Sequence, residues 1–145
     1  MLKYKHILAA TDMHDDCLPI VARGVDFAKQ YKSKLSIINV VPTVPYYMAA
    51  GLSSIPEIES QLEDESTERL ESIKKDIDYA VEVFLRHGSP KVEIVKLGEK
   101  LGVDLIIVGS HGKHGAQLLL GSTSSGVLHR SLCDVLVVRT SKTPK

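Results

Sequence analysis

Residues 105–123 read LIIVGSHGKHGAQLLLGST, and this segment carries the clearest indication of how the whole chain folds. It opens with four apolar residues, Leu105 to Val108, which predict a short strand that is buried on both faces. A glycine-rich segment follows from Gly109 to Gly121, and the hydroxyl residues Ser122 and Thr123 come directly after it, at the expected start of a helix. A buried strand that leads through glycines into a helix is typical of α/β proteins with a parallel sheet.

Short apolar runs alternate with longer amphipathic ones along the whole chain. The predicted strands are Tyr4–Ala10, Leu35–Val41, Ala80–Leu85, Leu105–Val108 and Asp134–Arg139. The predicted helices are Cys17–Tyr31, Glu57–Ile77, Lys91–Leu101 and Ser122–Leu132, and a long irregular loop is expected over Thr43–Pro56. The alternation predicts an α/β fold: one doubly wound, Rossmann-like, five-stranded parallel sheet with helices on both faces. No boundary is visible within residues 1–145, so we expect a single domain.

Charge and hydropathy exclude several classes of partner. Lys and Arg together number 18 and so do Asp and Glu, so the net charge of zero gives no long-range attraction to nucleic acid or to an anionic membrane. No apolar stretch approaches the roughly 18 residues that a membrane span needs. Cys17 and Cys133 fit no metal or disulfide spacing, and no signal-peptide pattern is present, so we expect a soluble, cytoplasmic protein with reduced thiols.

The glycine-rich segment predicts an anion site. Successive backbone N–H groups in such a loop, followed by a helix N-terminus, form a concavity that suits phosphate. The segment contains neither G-x-x-x-x-G-K-[ST] nor G-x-G-x-x-G, which disfavours a Walker-type loop and dinucleotide binding. A glycine-rich turn that serves only tight strand–helix packing is the alternative explanation.

Four motifs resemble the universal stress protein (UspA) family. They are KHILAATD at 5–12, GSP at 88–90, DLIIVG at 104–109, and VGSHG with LLLGSTSSGVLHRSLCDVLVVR over 108–139. ATP-binding members of that family carry G-x2-G-x9-G-[ST]; here Gly109-x2-Gly112 is followed by eight residues before Gly121-Ser122. The resemblance implies a homodimeric, ATP-binding stress-response module with at most slow hydrolysis, which is not an enzyme in the usual sense. The shorter loop leaves open a nucleotide-free dimeric interaction module of the same fold.

The resemblance also implies roles for individual residues. Asp12 would lie near the ribose or a phosphate-bound Mg²⁺ or Mn²⁺, the Val41 backbone would meet the adenine, and the glycines would approach the ribose and phosphates. The full expected nucleotide-binding set is Ala10, Thr11, Asp12, Val41, Val108, Gly109, Gly112, Lys113, Gly121, Ser122 and Thr123. The homodimer would form through the last strand, at Val135, Leu136, Val137 and Val138.

Other chemistry is weaker in this sequence. His111 and His114 beside Lys113 could hold a metal, but loop histidines near a phosphate site are more often solvated. Asp12 has no evident partner for acid–base catalysis, so positioning or helix capping is the better interpretation. No arginine finger or water-activating residue is evident, and we therefore expect no catalytic residues and no metal site formed by the protein alone.

Overall fold

The structure is a computed structural model, and it describes residues 3–11, 18–41, 43, 55–110 and 121–140. Its strands are β1 (His6–Thr11), β2 (Lys34–Val41), β3 (Val81–His87), β4 (Leu105–Gly109) and β5 (Asp134–Val138). Its helices are α1 (Leu18–Tyr31), α2 (Ile55–Asp76), α3 (Pro90–Leu101) and α4 (Ser122–Arg130). Every predicted strand and helix is therefore present in the described part of the chain.

Many element boundaries differ from the sequence prediction by one or two residues, and three of these differences have a clear physical reason. Helix α2 begins at Ile55, so Pro56 belongs to its first turn, where a proline is tolerated, and not to the preceding loop. Helix α4 ends at Arg130 because Ser131, with ψ of 145°, has already turned to extended backbone. Strand β3 continues to His87, two residues beyond the predicted end, because it stays paired with β2 up to Val41.

All strands run parallel in the order β3-β2-β1-β4-β5, which confirms the predicted doubly wound sheet. The chain builds outward from β1 through β2 to β3, and then returns to place β4 on the other side of β1. The strand order thus reverses between β1 and β4, which pair through Ile7 with Leu105 and Ala9 with Ile107. Strand β5 forms one edge of this sheet.

Alternate side chains of the strands supply two separate cores. Ile7 and Ala9 pack on one face with residues of α1 and α2, such as Ile20 and Leu70. On the other face, Leu8, Ala10, Ile106 and Val108 pack with α3 and α4 through Ile94 and Val127. Because both faces are covered, the residues between the ends of β1 are all apolar, as are the first four residues of β4.

Turns at the ends of α3 follow the sequence signals. Ser89 occupies the N-cap position, with Pro90 as the first helical residue, although the Ser89 hydroxyl makes no capping bond. Gly102 ends the helix with φ of 68°, a left-handed conformation that favours glycine. None of the helices in the described ranges is long and apolar enough to cross a membrane.

Candidate functional site: the carboxyl edge between β1 and β4

The reversal of strand order places the switch point of the sheet at the carboxyl ends of β1 and β4. Strand β1 ends at Thr11 and leads toward α1 on one face of the sheet, whereas β4 ends at Gly109 and leads toward α4 on the opposite face. The two connections therefore diverge from neighbouring strands. Ligands of open α/β sheets bind at such a switch point, and of the predicted site residues Thr11 and Gly109 end the two strands there.

Ser110 fastens three elements together at this edge. Its N–H donates to the carbonyl of Val138 (2.8 Å), and its own carbonyl accepts from the N–H of Gly121 (2.8 Å). Its Oγ accepts from the N–H of Thr140 (3.2 Å). The ends of the glycine-rich segment, residues 110 and 121, are thus joined by a hydrogen bond, and the start of α4 is fixed to the ends of β4 and β5.

The first turn of α4 presents donors toward the same edge. Gly121 is the N-cap, with φ of −63° and ψ of 159°, and as a glycine it has no side chain that could cap the helix. The first turn contains no acidic residue. Within the described part of the chain, no hydrogen-bond partner is found for the hydroxyls of Ser122 and Thr123, whereas Ser124 is buried and donates to the carbonyl of Gly121 (3.0 Å). An uncapped helix N-terminus with a positive dipole end and free hydroxyls is suited to bind an anion.

Gly109 has a structural reason to be glycine. A Cβ built there would lie 2.9 Å from Cδ1 of Ile20 and 3.0 Å from Cγ2 of Thr140. Its backbone is outside the left-handed region, as is that of Gly121. The missing side chain, and not an unusual φ, is what the fold requires at this position.

The residues at the ends of β1 and β2 are mostly buried. Thr11 donates its hydroxyl to the carbonyl of Ile38 (3.2 Å), and the carbonyl of Val41 accepts from the N–H of Gly88 (3.0 Å). Ala10 and Val108 contribute side chains to the core on the α3 and α4 face. Each carbonyl and hydroxyl oxygen retains a lone pair, so Thr11 and Val41 can still accept a hydrogen bond from a ligand.

Several expected site residues lie outside the described residues: Asp12, Gly112 and Lys113, together with Cys17 and the two histidines His111 and His114. Their predicted roles remain predictions. The described ranges contain no group of three or more His, Cys, Asp or Glu side chains that could hold a metal.

Sequence reasoning missed Ser110 and Thr140 as residues that build the site. Ser110 stands inside the glycine-rich motif, but nothing in its residue type indicates that all three of its polar groups are used to join the ends of β4 and β5 to the start of α4. Thr140 lies beyond the last predicted strand, which ends at Arg139, yet it is buried against Gly109 and Ser110. Only the pairing of β4 with β5 brings these residues together.

Three described side chains with shifted pKa values lie at the opposite, amino edge of the sheet. The hydrogen bond to Asp134 raises the pKa of Tyr4, and burial raises the pKa of Cys133 and lowers that of His6. The described part of the carboxyl edge offers amides and hydroxyls instead. Its chemistry is that of hydrogen-bond donation to an anion.

Comparisons with known proteins give a consistent assignment. A sequence model of the universal stress protein family matches residues 3–139. Universal stress protein A homolog 2 of Coxiella burnetii is 38% identical over 143 residues, covering 96% of this chain and 97% of that protein. The solved structure of the protein MJ0577 superposes with a TM-score of 0.82 at 30% identity, covering 98% of this chain and all of that one. A universal stress protein solved in complex with cAMP superposes with a TM-score of 0.66 at 28% identity, covering 97% and 100%. This chain is therefore a member of the universal stress protein family.

Proposed function

We propose that the protein is a cytoplasmic, homodimeric stress-response module that binds an adenine nucleotide, ATP with Mg²⁺ or Mn²⁺, at the carboxyl edge between β1 and β4. The nucleotide acts as a regulator of conformation and not as a substrate for rapid turnover. Such a ligand shifts a conformational equilibrium only by its different affinities for the two states.

The N-terminus of α4 carries this proposal. It lies at the switch point of the sheet, it has no acidic residue in its first turn, and it has no side-chain cap. The amides and hydroxyls of Ser122 and Thr123 would donate to the terminal phosphates, while Gly109 and Gly121 would leave room for the phosphate chain. The cAMP complex of a family member supports a nucleotide as the class of anion.

The base and ribose would extend from the phosphates across β1 toward β2. Thr11 and the backbone of Val41 line that direction, and both retain acceptor lone pairs for the exocyclic amine or ribose hydroxyls. A divalent cation would be held through the ligand, because the described ends of β1 and β4 and the first turn of α4 contain no carboxylate. Such a cation would coordinate phosphate oxygens and waters.

The dimer would form along β5. Val138 directs its carbonyl toward β4, where it accepts from Ser110, so the polar backbone groups of its neighbour Val137 face the open edge. The side chains of Val135, Leu136 and Val137 are only partly buried, and Leu132, two residues before the strand, is 87% exposed. An apolar edge strand with unpaired backbone groups is a surface that pairs with another strand.

A pair of substitutions at one residue tests nucleotide binding. Ser122→Pro removes an amide donor and the hydroxyl, whereas Ser122→Ala removes only the hydroxyl. Proline is tolerated at the first helical position, and Gly121, with ψ of 159°, already has the conformation that precedes a proline. A hydrogen bond to a charged phosphate contributes about 1.5–3 kcal/mol, so we expect Ser122→Pro to weaken ATP binding about ten- to hundredfold and Ser122→Ala considerably less.

Isothermal titration calorimetry with ATP and Mg²⁺ measures the two affinities, and thermal unfolding without ligand verifies that both variants fold. Equal affinities for the wild type and Ser122→Pro would show that the amides of α4 do not hold the ligand. A wild-type protein that binds no ATP at millimolar concentration would refute the proposed function and favour the nucleotide-free interaction module.

A further inference from the structure

A shallow groove lies between Lys91 of α3 and one side of α4. Its volume is about 370 Å³, and the described residues that line it are Lys91, Ser122, Ser125, Gly126, His129 and Arg130. We call it the α3–α4 groove. It begins beside Ser122, at the N-terminus of α4, and extends along that helix away from the carboxyl edge of the sheet.

The groove is basic although the chain as a whole is electrically balanced. Lys91 and Arg130 carry full positive charges, His129 adds another when protonated, and no carboxylate is found among the described lining residues. None of these three side chains forms an ion pair with a described residue. The adjoining first turn of α4 also lacks an acidic residue that would offset the positive end of the helix dipole.

Close contact between the helices fixes the position of Lys91. A Cβ built on Gly126 would lie 2.5 Å from Cδ and 2.7 Å from Cβ of Lys91, so the lysine stem passes directly over the backbone of α4. The aliphatic part of this side chain is therefore held against a neighbouring helix, and less conformational entropy is lost when its ammonium group binds a ligand.

We propose that the α3–α4 groove is a second anion subsite, which takes phosphate groups of a polyphosphate chain. Ammonium, guanidinium and hydroxyl groups are the donors that bind phosphate oxygens, and arginine can do so in a bidentate manner. Ser122 belongs both to the groove and to the N-terminus of α4, so a phosphate chain can pass from one to the other. The evidence for an anion subsite is the set of residues that line the groove, whereas its connection to a bound nucleotide rests on the proposed function. The phosphate groups that bind in the groove come either from the nucleotide itself or from a free inorganic polyphosphate.

The direct test is an NMR titration of the full chain with inorganic triphosphate. The amide resonances of Gly126, His129 and Arg130 should shift on binding. Lys91→Gln and Arg130→Gln, which keep the aliphatic stems, should each weaken binding about three- to tenfold. Lys91→Arg keeps the charge and should bind within about twofold of the wild type. The matched control is Lys96→Gln, since Lys96 is an exposed lysine of the same helix outside the groove, and it should leave binding unchanged.

A second arm identifies the source of the phosphates. Competition between ATP and triphosphate for the groove, followed at its amide resonances, assigns the subsite to the phosphates of the nucleotide. Simultaneous binding of both ligands assigns it to a separate polyphosphate. Both outcomes support the subsite. Triphosphate binding without ATP binding would refute the proposed function alone. Groove resonances that do not shift with triphosphate, or a Lys91→Gln variant that behaves like Lys96→Gln, would overturn the subsite.

Discussion

Gly109→Ala tests why the first glycine of the loop is required. The added methyl group would meet Cδ1 of Ile20 at 2.9 Å and Cγ2 of Thr140 at 3.0 Å, both on buried side chains. Overpacking of this kind costs about 1–3 kcal/mol. Because Cδ1 is the flexible end of Ile20, we expect the lower part of that range, about 1–2 kcal/mol. For a chain of this length that loss lowers the melting temperature by roughly 3–8 °C.

Ile20→Val provides the relief, because valine has no Cδ1. Alone it should cost about 0.5–1.5 kcal/mol through lost packing. Combined with Gly109→Ala it opens the space that the new methyl group needs, so the double variant should be more stable than the sum of the single effects by about 0.5–1 kcal/mol. Ile94→Val, in the core on the other face of the sheet, is the matched control and should combine additively with Gly109→Ala.

Urea unfolding followed by circular dichroism measures all these free energies, provided that the m-values stay constant. Additivity of Gly109→Ala with Ile20→Val to within about 0.3 kcal/mol would refute the packing argument. ATP titration of the same double variant then separates packing from ligand approach. If packing alone requires the glycine, the stabilised double variant binds ATP like the wild type; a large loss of affinity would mean that a ligand also needs the space.

Two further predictions concern the ends of the sheet. Burial, reinforced by the charge of Lys34, lowers the pKa of His6 below its ordinary value of 6.5. At acid pH the unfolded chain therefore binds a proton more readily than the folded chain does. The stability that is present above the ordinary pKa of histidine is lost as the pH falls through the lowered pKa of the folded state. The free energy of unfolding should therefore fall more between about pH 7.5 and about pH 5.5 for the wild type than for His6→Gln, and equal losses would contradict this. At the edge strand β5, Val137→Pro removes a backbone donor that faces away from β4 and should convert a dimer to a monomer in analytical ultracentrifugation. Val137→Ala is the control. A dimer that persists in the proline variant excludes pairing through β5.

The sequence predicts the elements of this fold well because each one is marked locally. Strand β4 is marked by four apolar residues between Asp104 and Gly109, and α3 is marked at both ends, by Pro90 and by Gly102. These signals depend only on neighbouring residues and on burial of both faces of the sheet. They can be recognised without knowing which elements pack against each other.

The contacts that build the site are not marked in this way. Ser110 joins Gly121 to Val138 because β4 and β5 lie side by side, and the stem of Lys91 lies on Gly126 because α3 and α4 pack closely. Both arrangements depend on residues that are more than ten positions apart and on the packing of whole elements. A hydroxyl or a lysine of the same type elsewhere in the chain carries no such role, so residue type alone does not reveal it.

The structure also changes which residues are informative about a ligand. Gly109 is required by contact with Ile20 and Thr140, and Gly121 closes the loop by donating to Ser110. The bond of Gly121 uses only its backbone, but a relative without nucleotide binding would need Gly109 for the same packing reason, so the presence of Gly109 cannot separate a binding member of the family from a non-binding one. The uncapped start of α4 is different, because the hydroxyls of Ser122 and Thr123 make no bond within the described chain. Evidence for a nucleotide therefore has to come first from the donors at positions 122 and 123, because substitutions there change possible ligand contacts, whereas a substitution of Gly109 also destabilises the fold.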